Sequence, residues 1–166
     1  VLGQKKVEGK SNEITALPEL IKVLDLAGCI VTIDAMGCQR EIVSKIVEKD
    51  ADYIIAVKKN QPTLYQQIEQ LFKQAIKTEG KDLNMSRFNS REMNRGREEI
   101  RNYLMITDVA ERIDPFQKWR KLTSIGMVES VRVVNGKTSV ETRYFISSLE
   151  KNAQRLAEGI RGHWSV

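Results

Sequence analysis

Hydrophobic and polar positions in the first half of the chain follow two alternating periods. In "ALPELIKVLDLAG", 16–28, Leu17, Leu20, Ile21 and Leu24 recur at helical spacing, with Thr15 as candidate N-cap and Gly28 as candidate stop. "CIVTI", 29–33, is β-branched and apolar throughout, which predicts a strand buried on both faces. "REIVSKIVEK", 40–49, places Ile42, Val43, Ile46 and Val47 on one helical face, and "DYIIAV", 52–57, reads as another buried strand. A helix over 63–77 carries the stripe Leu64, Ile68, Leu71, Phe72 and Ala75, and "VLGQKKV" at 1–7 reads as a short edge strand. Strand, helix, strand, helix, strand with short connections predicts an α/β core with parallel strands.

The pattern changes at residue 78. "TEGKDLNMSRFNSREMNRGREEIR", 78–101, is polar, has no sustained period and reads mostly as a loop carrying Arg87, Arg91, Arg95, Arg97 and Arg101. Strand-like alternation follows in 100–107, 122–134 and 137–149, with Asn135-Gly136 as a type I′ hairpin signal between the last two. A final helix is expected from Ser147, where Ser147 and Glu150 make a capping box, with Leu149, Ala153, Leu156, Ala157, Ile160 and Trp164 on one face. The expected organisation is a core over 1–78 and 147–166, with 79–146 forming a charged loop plus an antiparallel β insertion. The helical pattern is still running at Val166, which predicts a piece of a longer protein.

Composition narrows the function. Hydrophobic residues make up 41% of the 166, enough for a real core, and no apolar run reaches the roughly 20 residues that span a bilayer. A cytoplasmic protein with no membrane partner is expected. Cys29 and Cys38 suit a reducing compartment, and with His163 the only histidine they match no zinc spacing. A net charge of +5 favours a polyanionic partner without proving one. No phosphate loop of the GxxxxGK[ST] type is present, which argues against a nucleotide site.

The candidate chemistry centres on Asp34. It ends the 29–33 strand, and ligands gather at the carboxyl ends of strands in parallel sheets. A carboxylate there suits Mg²⁺, which takes oxygen ligands; an Asp before a helix is equally a favoured N-cap, stabilising by about 1 kcal/mol. Spacing does not separate the two. Lys58, Lys59, Asn60 and Gln61 follow the 52–57 strand on the same side of the sheet. They read either as phosphate-contacting and strand-orienting groups or as a plain turn with Pro62 starting the next helix. Lys10, Ser11 and Asn12 form a polar turn for which helix capping is the simpler role. The arginines of 78–101 read as a solvated surface or as contacts to a nucleic-acid backbone.

Four motifs carry a resemblance: "VTIDAMGCQREI", "DYIIAVKKNQPTLY", "SIGMVESVRVVNGKTSVETRYFISSL" and the terminal "RGHWSV". Together they resemble the H-repeat-associated DDE transposases of bacterial insertion sequences, over essentially the whole chain. The resemblance implies a ribonuclease H-like fold in which three acids hold two Mg²⁺ or Mn²⁺ ions for attack on a DNA phosphodiester. It implies that Asp34 is the second of those acids, that a Glu follows the His163-Trp164-Ser165-Val166 sequence, and that the first acid precedes Val1. It adds DNA contacts by Lys58, Lys59, Asn60, Gln61, Arg161 and His163 to those expected of the loop arginines Arg87, Arg91, Arg95 and Arg97. Trp164 is expected to pack on the helix stripe. The expected partner is double-stranded DNA, at the element's terminal repeats and its target, and the resemblance leaves room for a homodimer in the intact enzyme. With one acid of three, this chain alone is expected to be inactive and to hold no metal stably. The alternative is a non-catalytic remnant that binds DNA weakly.

Overall fold

The computed structural model describes residues 13–164. The strand expected at 1–7, the Lys10–Asn12 turn and the packing of Trp164 lie outside the described backbone and side chains.

The elements run α1 (Glu13–Val23), β1 (Ile30–Ile33), α2 (Arg40–Glu48), β2 (Asp52–Val57), α3 (Pro62–Lys77), β3 (Asn84–Asn94) and β4 (Arg97–Thr107). They continue with α4 (Ala110–Ile113), β5 (Ser124–Val134), β6 (Lys137–Ser147) and α5 (Ala153–Trp164). The strands form one six-stranded sheet of order β1-β2-β6-β5-β4-β3. β1 and β2 are parallel, as the βα alternation requires, and every other pairing is antiparallel. The protein is therefore α/β with a mixed sheet.

Two apolar layers cover the sheet. One face packs on α1 to α4 through Ile21, Ile42, Ile46, Tyr53, Ile55, Phe72, Ile106 and Trp119. The opposite face packs on α5 through Ile54, Ala56, Tyr103, Phe145, Leu156 and Ile160. Helix and sheet approach closely at Gly159, where a Cβ would lie 2.5 Å from Cδ1 of Ile54. Buried serines tie β2 to the end of β6: Ser147 Oγ donates to the Tyr53 carbonyl at 2.7 Å, and the Tyr53 N–H donates to Ser148 Oγ at 2.9 Å.

The structure corrects four local readings. The charged segment 78–101 is not mostly loop: from Asn84 it forms β3 and the start of β4, joined at Arg95-Gly96 with φ of +48° and +77°. Both faces of this hairpin are largely polar, so its period of two is visible in burial along β3 but not in hydrophobicity. Ser147 ends β6 rather than starting a helix; α5 begins at Ala153, capped by Asn152, whose Oδ1 accepts the Arg155 N–H at 3.2 Å. Thr15 does not cap α1, which is already helical at Glu13, and Gly28 sits beyond its end in a turn at φ +73°. β1 is the sheet edge among the described residues, with Ile30, Val31 and Thr32 only half-buried, since an apolar run does not distinguish an edge from a centre.

The β3–β4 and β5–β6 hairpins outrun the parallel pair. The last residue of β2, Val57, pairs with Tyr144, and β6 extends over 137–143 beyond it. At about 3.3 Å per residue this overhang is about 20 Å long. It projects past the end of the sheet at which Asp34 sits.

Candidate functional site

Asp34 follows β1 directly and opens a short 3-10 turn, Ala35–Gly37, rather than α2. Its Oδ1 accepts the Ala35 N–H at 2.8 Å and lies 3.9 Å from Lys58 Nζ at the end of β2. The sequence left cap and ligand open; the geometry shows the cap and, in the same atom, a partner for a cation. Both side chains are more than half exposed, so the ion pair itself is worth under about 1 kcal/mol. Its value is placement: a carboxylate and an ammonium face each other across the carboxyl ends of two parallel strands.

Asn60 and Gln61 hold this loop from behind. The Asn60 side-chain amide donates to the Ala35 carbonyl and that of Gln61 to the Cys38 carbonyl, each at 2.8 Å. Neither amide was read as a staple, because each partner lies more than 20 residues away and no local pattern marks it. Gly37 completes the loop, since a Cβ there would overlap Cγ2 of Ile33.

A cavity of about 460 Å³ opens beside Asp34, lined also by Lys58, Lys59, Tyr65, Glu141, Thr142, Arg143 and Tyr144. Tyr65 meets Tyr144 edge-on with ring centroids 5.3 Å apart. Burial raises the Tyr144 hydroxyl pKa above its ordinary value, with Glu69 and Tyr65 adding to the shift. Sequence reasoning missed the β6 side of this cavity, because β6 reaches β2 across some 90 residues of chain and only their register places Glu141 and Arg143 there.

The residues expected to contact DNA do not form one patch. Lys58 and Lys59 line the cavity. Arg97 and Arg161 lie on the α5 side of the sheet, Arg87 and Arg91 pair in register with Leu104 and Ile100 on the other, and Arg95 sits in the hairpin turn. His163 Nδ1 lies 2.9 Å from Thr32 Oγ1, so the last turn of α5 docks on β1 two residues before Asp34.

Metal chemistry needs more than this set provides. Among the described residues no group of three or more His, Cys, Asp or Glu could hold an ion. One carboxylate beside an ammonium cannot keep two divalent cations about 4 Å apart against their repulsion. The described residues therefore do not fit a two-metal centre by themselves. Among them, too, no helix is long and apolar enough to cross a membrane.

Comparison with known proteins extends this picture. The family described as Transposase DDE domain matches residues 1–166. The chain is 41% identical to "Putative transposase YncI" of Escherichia coli O157:H7, with all of this chain and 43% of that protein covered. It is 39% identical to "H repeat-associated putative transposase YhhI" of Escherichia coli K12, covering all of this chain and 44% of that protein. "Putative protein YbfL" of the same strain is 40% identical, with 44% of its length covered. The chain thus spans less than half the length of these curated relatives. No solved structure matches. A family match over residues 1–166, with relatives near 40% identity across the whole chain, makes this chain a member of the DDE-domain transposase family.

Proposed function

We propose that this chain forms part of a transposase that cleaves DNA phosphodiesters and transfers strands at the ends of a bacterial insertion element, with Asp34 as one of its catalytic carboxylates. The observation that carries the reading is the position of Asp34, pinned by Ala35 at the carboxyl end of β1 and facing Lys58 over a cavity. The parallel β1–β2 pair with α2 between them is the part of the fold consistent with a ribonuclease H-like core. In this reading Lys58 and Lys59 meet DNA phosphate, Asn60 and Gln61 position the Asp34 loop, and a homodimer would pair two DNA ends. The metal, Mg²⁺ or Mn²⁺, would supply an activated oxygen nucleophile once further carboxylates join Asp34.

The 166-residue chain by itself is expected neither to nick nor to join DNA. Supercoiled plasmid incubated with the purified chain and Mn²⁺ should stay supercoiled; nicking that disappears with Asp34→Ala would refute that inactivity. In a protein extended through its parent gene, Asp34→Ala should lower strand cleavage by at least about 10³-fold while DNA binding persists. Cleavage that survives this change would remove Asp34 from the machinery. The second reading, a remnant whose only activity is DNA binding, is favoured by the pairing of the cavity's other carboxylate, Glu141, with Arg143 and Arg132. It predicts DNA binding with no cleavage even in the extended protein.

A further inference from the structure

The overhanging halves of β3 to β6 differ on their two faces. One mixes polar residues such as Arg91, Asn102 and Glu129 with an apolar row, Ile100, Val131 and Val140, paired in register across three strands. The other, on the α5 side, carries a continuous chain of opposite charges. Arg161 of α5 pairs with Glu92, which lies 3.7 Å from Arg101. Glu99, only 7% exposed, takes Arg101 at 2.9 Å, Arg97 at 2.9 Å and Arg132 at 3.1 Å. Arg132 reaches Glu141 at 4.0 Å, and Glu141 takes Arg143 at 3.0 Å. The chain crosses four strands, about 14 Å of sheet, and ends at Arg143 and Glu141 on the wall of the cavity beside Asp34.

Two features set it apart from ordinary surface pairing. First, the donors outnumber the acceptors. Five guanidinium groups present about 25 N–H donors, while three carboxylates offer about 12 lone-pair sites. Five arginines against three glutamates also leave an excess of positive charge. Second, Glu92 and Glu99 stand directly opposite each other in register, a placement that destabilises a sheet unless cations intervene. The carboxylates fix the planes of the guanidinium groups; Arg132 and Arg143, 37% and 40% exposed, keep outer edges open to an external planar or tetrahedral anion, while Arg101, 15% exposed, serves to hold Glu99 and Glu92.

We propose that this face seats a phosphodiester backbone, with Arg132 and Arg143 as its centre and Arg101 holding the ladder beside them, and delivers a DNA strand to the cavity at Asp34. The inference rests on the reading of DNA as substrate and assigns to it two residues outside the expected set, Arg132 and Arg143, joined to Arg101 of the 78–101 segment. Arg101, Arg132 and Arg143 are scattered along the sequence and meet only through strand register.

The test measures binding of the full 166-residue chain to a fluorescein-labelled DNA 20-mer, single-stranded and duplex, at several salt concentrations. Neutralising two phosphate contacts in Arg132→Gln/Arg143→Gln should reduce the slope of log affinity against log salt by about 1.5 and weaken binding on the order of tenfold at low salt. Lys81→Gln/Arg112→Gln, off this face, should change neither. Arg143→Gln alone, a half-exposed side chain paired with Glu141, should lower the slope by about 0.8 and guards against a double variant that fails to fold. A merely structural ladder would lower the unfolding temperature and leave the slope as it was. If wild type binds DNA and both arginine variants keep its slope and affinity, the seat is overturned while the transposase reading stands. If wild type binds neither probe at 50 mM salt, DNA binding by this chain fails and the seat with it.

Discussion

Asn60 reaches across from the turn after β2 and donates its side-chain amide to the carbonyl of Ala35, the residue next to Asp34. With the parallel bond from Gln61 to Cys38, it fixes the Asp34 loop to a second loop that is distant in sequence. Both bonds are partly buried, so losing either leaves a carbonyl short of a partner.

Asn60→Ala and Gln61→Ala are each expected to lower stability by about 1–2 kcal/mol. Urea unfolding of the 166-residue chain measures this directly. A midpoint unchanged in both variants would show that water replaces the amides without loss, and the staple would have no energetic content.

Gly37→Ala should be worse than either. The added Cβ would overlap a methyl branch of Ile33 and lie 3.2 Å from Leu17 Cδ2, in a loop that both staples hold still. Overpacking of this kind costs about 1–3 kcal/mol. The expected signature is a lower thermal midpoint together with shifted amide resonances at Asp34 and Ala35. A variant as stable as wild type would mean the turn shifts freely.

The two cysteines should separate chemically. Cys38 is fully buried, and burial pushes its thiol pKa up to about 12; Cys29 is half-buried. The thiolate is the reactive form, so native protein at pH 8 should lose one thiol quickly to a disulfide reagent and the second only on unfolding. Equal rates for both thiols in native protein would contradict the packing of Cys38.

Glu99 gives the protein a pH dependence. Burial alone would raise its carboxyl pKa, but the hydrogen bond from Arg132 and the charges of Arg101, Arg132 and Arg97 outweigh that and lower it. A carboxyl lowered in the folded state contributes stability that is fully present above its unfolded value of 4.5 and is lost as pH falls toward the lower folded value. Glu99→Gln should therefore cost about 2 kcal/mol at pH 7, and the gap to wild type should narrow below about pH 4.5. A gap that stays constant down to pH 3 would show that the arginines do not hold Glu99 ionised.

What was legible in the sequence divides by range. Strands β1 and β2, the helix after each and the Asn135-Gly136 turn rest on periodicity and local backbone chemistry, and each is present in the structure. Asp34 was visible because a carboxylate interrupting an apolar run is a local event. The β3–β4 hairpin was hidden because charged residues occupy both of its faces, and hydrophobic period was the signal being read. The cavity wall at Glu141 and Arg143, the Asn60 staple and the Glu99 hub depend on register between distant segments. Periodicity carries no information about that register.

The overhang also constrains how this protein can change length. Each of its hairpins turns through two residues of positive φ, at Arg95-Gly96 and Asn135-Gly136, so an insertion at either tip is remote from the β1–β2 pair. Side chains alternate sides at every step, however. A single extra residue in one strand would carry every side chain beyond it to the opposite face and break the run of ion pairs through Glu99. Growth or shortening that preserves the asymmetry must add or remove residues in matched pairs, one from each strand of a hairpin. The tips can therefore drift in reach by steps of about 3.3 Å while the sidedness of the sheet is kept.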